Sequence, residues 1–188
     1  MRAITRSDIV CVMAHITASV EYGLHCLLWL AKSDGGRAST RQLAALQGVS
    51  HSFLAKIFPK LEKAGIVSAS DGLAGGYRLA CPPEEISVLQ VIDAIEGHKP
   101  LFDCRGVRAG CVLFDGAPPQ WATKGTCSIH AVMLRAEKAM RAELAASSLG
   151  DLALTVTAKA PAEFWGQVQS WLDTRTSRRE ASVPARSS

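Results

Sequence analysis

The chain has 188 residues, 48% of them hydrophobic, and a formal charge of +4. That is enough apolar content for a real core, which excludes wholesale disorder, and the apolar runs at Ile9–Met13 and Leu27–Ala31 fall far short of the roughly 18 residues of a membrane span. The basic tail, with Arg175, Arg178, Arg179 and Arg186 against Glu180, accounts for much of the charge. Net basicity is therefore weak evidence for a nucleic-acid partner.

Residues 1–13 read poorly as part of a fold: their apolar stretch is shorter than a signal-peptide core and has no clear cleavage site. They are expected to be a non-native or disordered lead, with Met13 as the natural start, and the expected location is cytoplasmic. From about Ser19 to Lys32, Val20, Leu24, Leu27 and Ala31 recur at helical spacing. Ser33-Asp34-Gly35-Gly36 closes that helix. Ser39 or Thr40 caps a second helix through about Leu46, and Gln47-Gly48-Val49 makes a tight turn. Ser50 caps a third helix over His51–Ala64, with Leu54, Ile57, Phe58 and Leu61 as its buried face and Gly65 at its C-terminus. Pro59 inside it predicts a kink or a break. Ile66–Ser70 and Tyr77–Ala80 read as two short strands around the glycine-rich turn 71–76. Pro82-Pro83 ends the hairpin, and Ser87 caps a fourth helix through about Glu96.

Residues 98–127 read as irregular, and a stretch of that length inside a compact domain is expected to be functional. A long helix is expected over Ser128–Ala146, then a short segment from Gly150 to about Val156. Within 157–188, Pro161–Leu172 is expected to form one amphipathic helix using Phe164, Val168, Trp171 and Leu172, and the rest reads as a largely flexible extension. The fold class expected is mainly α with a small β-hairpin wing: a winged helix-turn-helix domain over 14–97, a cysteine-bearing loop over 98–127 and a dimerisation helix region over 128–156.

Two capped helices joined by a glycine turn, followed by a hairpin, form a winged helix-turn-helix pattern, and this predicts a double-stranded DNA partner. Ser50, His51, Ser52 and Lys56 fall in the first turns of the third helix, the end that enters a major groove. Ser39, Thr40 and Arg41 are placed to meet phosphates at the start of the second helix, Lys60 adds charge further along the third, and Arg78 sits on the wing. Taken alone, Lys56, Lys60 and Lys63 are equally a solvated helix face. It is the ordered combination of caps, turn and hairpin that favours the DNA reading.

Gly75-Gly76-Tyr77-Arg78-Leu79-Ala80, Pro82-Pro83-Glu84-Glu85-Ile86-Ser87 and Val91-Ile92-Asp93-Ala94-Ile95-Glu96-Gly97 together resemble the Rrf2 family of bacterial winged-helix transcriptional regulators. Gly48-Val49-Ser50-His51-Ser52-Phe53-Leu54, Lys60-Leu61 and Ala64-Gly65-Ile66-Val67 agree in order and spacing. The resemblance runs from about Ile16 to Val156. It implies a homodimer whose long helices cross, a regulatory and non-enzymatic role, most simply repression, and no small-molecule substrate. Two departures stand out. The family's wing tip usually carries an Arg where this chain has Asp71, and its third helix often carries an acidic base reader where this chain has Ala55. Both predict a different operator.

Six cysteines are present, and in a reducing compartment thiol chemistry or metal binding outranks structural disulfides. Cys104, Cys111 and Cys127 share the irregular segment with C-x6-C and C-x15-C spacing, and His130 follows Cys127 as C-x2-H. Many members of the resembled family hold an iron–sulfur cluster with three cysteines here, usually more tightly spaced. Val20-Glu21-Tyr22-Gly23-Leu24-His25-Cys26 also resembles the redox-sensing subgroup, in which a Glu and a His from one subunit complete a [2Fe-2S] cluster held by two cysteines of the other. The resemblance thus implies Glu21, His25, Cys127 and one of Cys104 or Cys111 as ligands, with [2Fe-2S] favoured over [4Fe-4S], and Tyr22 as a moving part. Glu21 and His25, four apart, are equally an ordinary surface helix pair. The loop cysteines are equally suited to zinc or to a switching disulfide. Cys26 and Cys81 read as packing residues, and Cys11 as irrelevant. Three rival functions stay open: a cluster-free regulator controlled by thiol oxidation or a partner protein, a small redox or metal-handling protein, and a pure dimerisation module.

Overall fold

The computed structural model describes residues 16–32, 36–70 and 75–181, with side chains to Arg175. The lead before residue 16, including Met13, and the wing tip with Asp71 lie outside the described residues, as does the chain after 181.

Helix α1 (Ala18–Lys32) buries Val20, Gly23, Cys26, Leu27 and Leu30. Leu24 and Ala31, expected on its buried stripe, are only half-buried, so the face that meets the core is rotated from the expected one. Helix α2 (Thr40–Gln47) starts in a capping box, in which Ser39 accepts from the Gln42 backbone N–H and the Gln42 side chain accepts from the Ser39 N–H. This satisfies two donors that the first turn leaves orphaned. Gly48 then takes a left-handed φ of 71°, and Val49 donates to the Ala44 carbonyl at 2.9 Å, which turns the chain into α3 (His51–Lys63). Ser50 occupies the N-cap of α3, but its hydroxyl bonds Ser52 at 2.8 Å instead of capping the helix. The helix runs on through Pro59, so of the kink or break expected there the break does not occur. The fully buried Leu54, Phe58 and Leu61 hold it on both sides of the proline, and packing of that kind outweighs one missing hydrogen bond.

Strands β1 (Val67–Ser70) and β2 (Gly76–Leu79) pair antiparallel in the register Val67 with Leu79 through Ser70 with Gly76. Ala38 adds a third backbone segment to this wing: it exchanges hydrogen bonds with Tyr77 at 3.1 and 2.9 Å. The approach is so close that a Cβ on Gly76 would stand 2.8 Å from the Ala38 carbonyl carbon.

After a 3-10 turn at Pro83–Glu85, helix α4 (Val88–Glu96) opens in a capping box of Ser87 and Gln90 and buries Val88, Val91, Ile92 and Ile95 against α1 and α3. The segment expected to be irregular holds 3-10 turns at Val107–Gly110 and Val112–Phe114 and one helical turn, α5 (Gln120–Thr123), with few buried residues. Helix α6 (Ser128–Ala146) leans on α4 and buries none of its own residues, leaving Ile129, Val132, Leu134 and Met140 exposed. The chain then turns back into α7 (Leu149–Lys159), a full helix where only a short segment was expected. It packs on α1, and Leu149 donates to the Ile86 carbonyl at 2.8 Å.

The amphipathic helix expected over Pro161–Leu172 is present as α8 (Phe164–Ala181), and it runs on into the stretch expected to be flexible. Val168 and Leu172 are buried in the main core, and Phe164 and Trp165 pack on Trp29 of α1 with ring centroids 6.0 and 5.7 Å away. Phe164, Val168, Trp171 and Leu172, the apolar pattern read in the sequence, form the anchor that seats the helix.

Candidate nucleic-acid interface and cysteine loop

The side chains expected to read DNA are collected at the starts of α2 and α3. Thr40 and His51 meet at 3.1 Å and lock the two helix starts together. Ser50, Ser52 and Lys56 are exposed on the first turns of α3, and Arg41 is exposed on α2. Ser39 is spent in its capping box. Arg78 projects from the exposed side of β2, where its Nε donates to the Ser68 hydroxyl at 3.2 Å. Lys60 stands apart. Its ammonium donates to the Ile95 carbonyl at 2.6 Å, at the C-terminal turn of α4, where a cation satisfies a free carbonyl and the negative end of the helix dipole. It joins two helices, a role its place in a basic run did not reveal. Ala55 is exposed on α3 and brings no polar group to that surface.

Glu21 and His25 are both exposed on α1. They border an apolar groove of about 570 Å³ lined by Ile16, Leu24 and Leu28 and, from α7, Leu152 and Val156. Tyr22, between them in sequence, turns the other way and sets its ring edge-on to Phe53 of α3, with centroids 5.5 Å apart. The face that carries Glu21 and His25 is thus one residue removed from a direct contact with the third helix.

In the loop, Cys104 is half-buried and Cys111 is exposed. Cys127 is the N-cap of α6, and the backbone N–H groups of His130 and Ile129 hold its thiol below the usual range, with Arg108 helping. A helix N-terminus stabilises a thiolate in this way. Arg108 also gathers the loop by donating to the Thr123 carbonyl at 2.9 Å and to that of Gly125. No spacing rule marks such a backbone clamp, and the sequence reading missed it. His130 faces Phe102 at 6.0 Å between ring centroids. Burial pushes the Cys26 thiol up to about 12 and also raises Cys81, as suits packing residues. Among the described residues, one chain gathers no three His, Cys, Asp or Glu side chains into a group able to hold a metal. The donors stand as two separate sets, a Glu–His pair on α1 and thiols in the loop.

Two helices across a glycine turn, with a hairpin against the second, define a winged helix-turn-helix protein. A family model described as "Iron-dependent Transcriptional regulator", Rrf2, matches residues 16–155, and the chain belongs to that family of transcriptional regulators, which is not a family of enzymes. It is 35% identical over 96 residues to the HTH-type transcriptional regulator IscR of Aliivibrio salmonicida, an alignment that covers 51% of this chain and 52% of that one. The chain therefore spans about half the length of that relative. The solved structure of T. potens IscR superposes with a TM-score of 0.58 at 25% identity, covering 78% of this chain and 90% of that one. CymR of B. subtilis, described as a global cysteine regulator, shares the fold with a TM-score of 0.59 at 23% identity, over 74% of this chain and 96% of that one. No helix among the described residues is long and apolar enough to cross a membrane.

Proposed function

We propose that this chain is a cytoplasmic, homodimeric repressor that binds a double-stranded DNA operator, with an affinity set by an iron–sulfur cluster held between the two subunits. The observation that carries the reading is the edge-on contact of Tyr22 with Phe53. Tyr22 lies between Glu21 and His25 on α1, and Phe53 lies in the first turn of α3, so a shift of α1 is passed to the helix that enters the major groove. A dimer reads two half-sites about one helical turn apart, so a small change in the spacing of the two α3 helices changes affinity.

The donor set suits an iron–sulfur group. The three thiols of the loop are free, the Cys127 thiol is held below its usual range, and Glu21 and His25 face outward from the same chain. Because one chain leaves the two sets apart, the ligands would come as Cys127 with Cys104 or Cys111 from one subunit and Glu21 with His25 from the other, in the [2Fe-2S] form. When bound, such a group supplies an electron-transfer couple whose potential rises with imidazole ligation. The exposed apolar residues of α6, Ile129, Val132, Leu134 and Met140, supply a surface for the second subunit. Ser50, His51, Ser52 and Lys56 then face base edges, and Thr40, Arg41 and Arg78 face phosphates.

The test is anaerobic purification with a visible spectrum, iron and sulfide analysis, and duplex binding before and after mild reduction. A coloured protein with matched iron and sulfide, bleached by Glu21→Gln or His25→Ala, supports the ligand set. Wild-type spectra in both variants would remove it. A second reading rests on the lowered Cys127 thiol and the exposed Cys111: a cluster-free regulator switched by thiol oxidation. Colourless, iron-free protein whose duplex binding responds to oxidant would select it.

A further inference from the structure

Helix α8 lies beyond residues 16–155, the part matched by the family model, and it is firmly seated. Val168 and Leu172 are 7% and 3% exposed, and the Gln42 side-chain amide of α2 donates to the Leu172 carbonyl at 3.3 Å. That seat carries the following turn of α8 past the start of α2. Arg175 there lines a cleft of about 520 Å³ together with Ser39, Thr40, Arg41 and His51.

The chemistry of this cleft is one-sided. It offers two guanidinium groups, an imidazole and the Thr40 hydroxyl, and among the described residues no carboxylate lines it. No acidic partner within ion-pair distance is found for Arg41 or Arg175 among the described residues. The Arg175 guanidinium lies over the Trp171 ring, 3.9 Å from its centroid. Stacking fixes the plane of the group and leaves its N–H edge available, the arrangement that receives two oxygens of a phosphate. Because His51 opens α3 and bonds Thr40, the cleft borders the helix that is to enter the groove.

We propose that the C-terminal helix is an added DNA-binding element, in which Arg175, held by Trp171, contacts a backbone phosphodiester beside the one met by Arg41. The contact rests on the DNA-binding reading above. It supplies affinity without sequence preference, since phosphates carry no base information. It also lengthens the footprint beyond that of the shared domain. The sequence continues with Arg178 and Arg179, against Glu180.

The experiment compares the full-length wild type with Arg175→Gln, Arg175→Lys and Lys159→Gln, the last removing an equal charge on another helix. Binding to a mixed-sequence 30-base-pair duplex is measured over a range of salt, with thermal midpoints to show intact folding. Each phosphate contact contributes about 0.9 to the slope of log K against log salt. The expectation is that Arg175→Gln weakens binding and flattens the slope by about one per subunit, that Arg175→Lys, which keeps the charge but loses the stacked fork, weakens binding with a smaller loss of slope, and that Lys159→Gln keeps the wild-type slope. A wild-type slope in Arg175→Gln, an equal loss of slope in Lys159→Gln, or tighter binding without the arginine overturns the contact. So does saturation of the cleft by millimolar inorganic phosphate with no effect on duplex binding, which would make it a site for the free anion. If the wild type binds no duplex at all, the DNA reading itself falls, and the two failures are thereby told apart.

Discussion

Arg141 of α6 forks onto Asp93 of α4, with one guanidinium nitrogen 3.1 Å from Oδ1 and another 2.7 Å from Oδ2. Both side chains are about two-thirds covered. Because α6 buries none of its residues within the chain, this pair and the bond from the Leu101 N–H to Glu137 at 3.1 Å fix how the long helix stands on the winged domain. A bidentate pair sets an angle as well as a distance.

Arg141→Gln and Asp93→Asn are therefore each expected to lower the thermal midpoint. The double variant should lose no more than the worse single, since both remove one shared interaction. The same variants should weaken duplex binding beyond their effect on stability, because α6 carries the proposed dimer face. Strictly additive midpoints in the cycle would show that the pair acts as two solvated charges.

The close approach of Ala38 to Gly76 predicts a second result. An alanine at 76 would place its Cβ 2.8 and 2.9 Å from the Ala38 carbonyl carbon and oxygen. These are backbone atoms with no rotamer to relieve the contact. Gly76→Ala should cost about 1–3 kcal/mol, the usual range for overpacking, read by urea unfolding. It should also broaden or shift the amide signals of Ala38 and Tyr77, whose pairing it separates. An unchanged midpoint with unchanged amides would mean the wing does not need this contact.

Much of the winged domain was legible in advance because its signals are local. Ser39 with Gln42 and Ser87 with Gln90 are capping boxes written within four residues, and Gly48 marks its own turn. The buried set on α3 followed from periodicity alone. What stayed hidden depends on distant partners. Nothing near Lys60 announces that its ammonium will meet the Ile95 carbonyl, thirty-five residues away. Arg108 in the loop and Arg175 beyond the apolar stripe of α8 read as solvated charges until the chain folds. The contact of Tyr22 with Phe53 joins helices whose relation no spacing specifies. The proposed cluster ligands came from the family resemblance, and the fold of one chain leaves them in two groups.

Glu96 provides a pH-dependent check. The Thr17 hydroxyl donates to its carboxylate, and Lys99 lies 3.3 Å away. These contacts, Thr17 first, hold the Glu96 carboxyl below its usual range against an opposing effect of burial. A carboxylate depressed in the folded state adds stability above its unfolded pKa, and that stability is lost as pH falls through the folded value. Glu96→Gln should therefore be less stable than wild type at pH 7, and the gap should close on acidification through the carboxylate range. The Thr17→Val variant should show the same closing gap. Unfolding curves at pH 7 and in acid decide the matter, and a gap that is constant across that range would assign the loss to packing.

Leu172 tests whether α8 belongs to the folded body or merely trails it. It is 3% exposed in a core shared with α1 and α2, and Trp29, which packs on Phe164 and Trp165 of the same helix, donates from its indole nitrogen to Gln47 at 2.9 Å. Truncation of a buried leucine removes transfer energy and leaves a cavity. At a helix that can settle inward the cost falls toward the low end of roughly 2–5 kcal/mol. Leu172→Ala should thus lower stability in urea by about 2 kcal/mol and raise the exchange rate of α8 amides ahead of those in α1. It should also flatten the salt slope of duplex binding as Arg175→Gln does, because an unseated helix no longer presents that arginine beside Arg41. A variant that lost stability but kept the wild-type slope would separate the two roles and leave α8 as a structural cover alone.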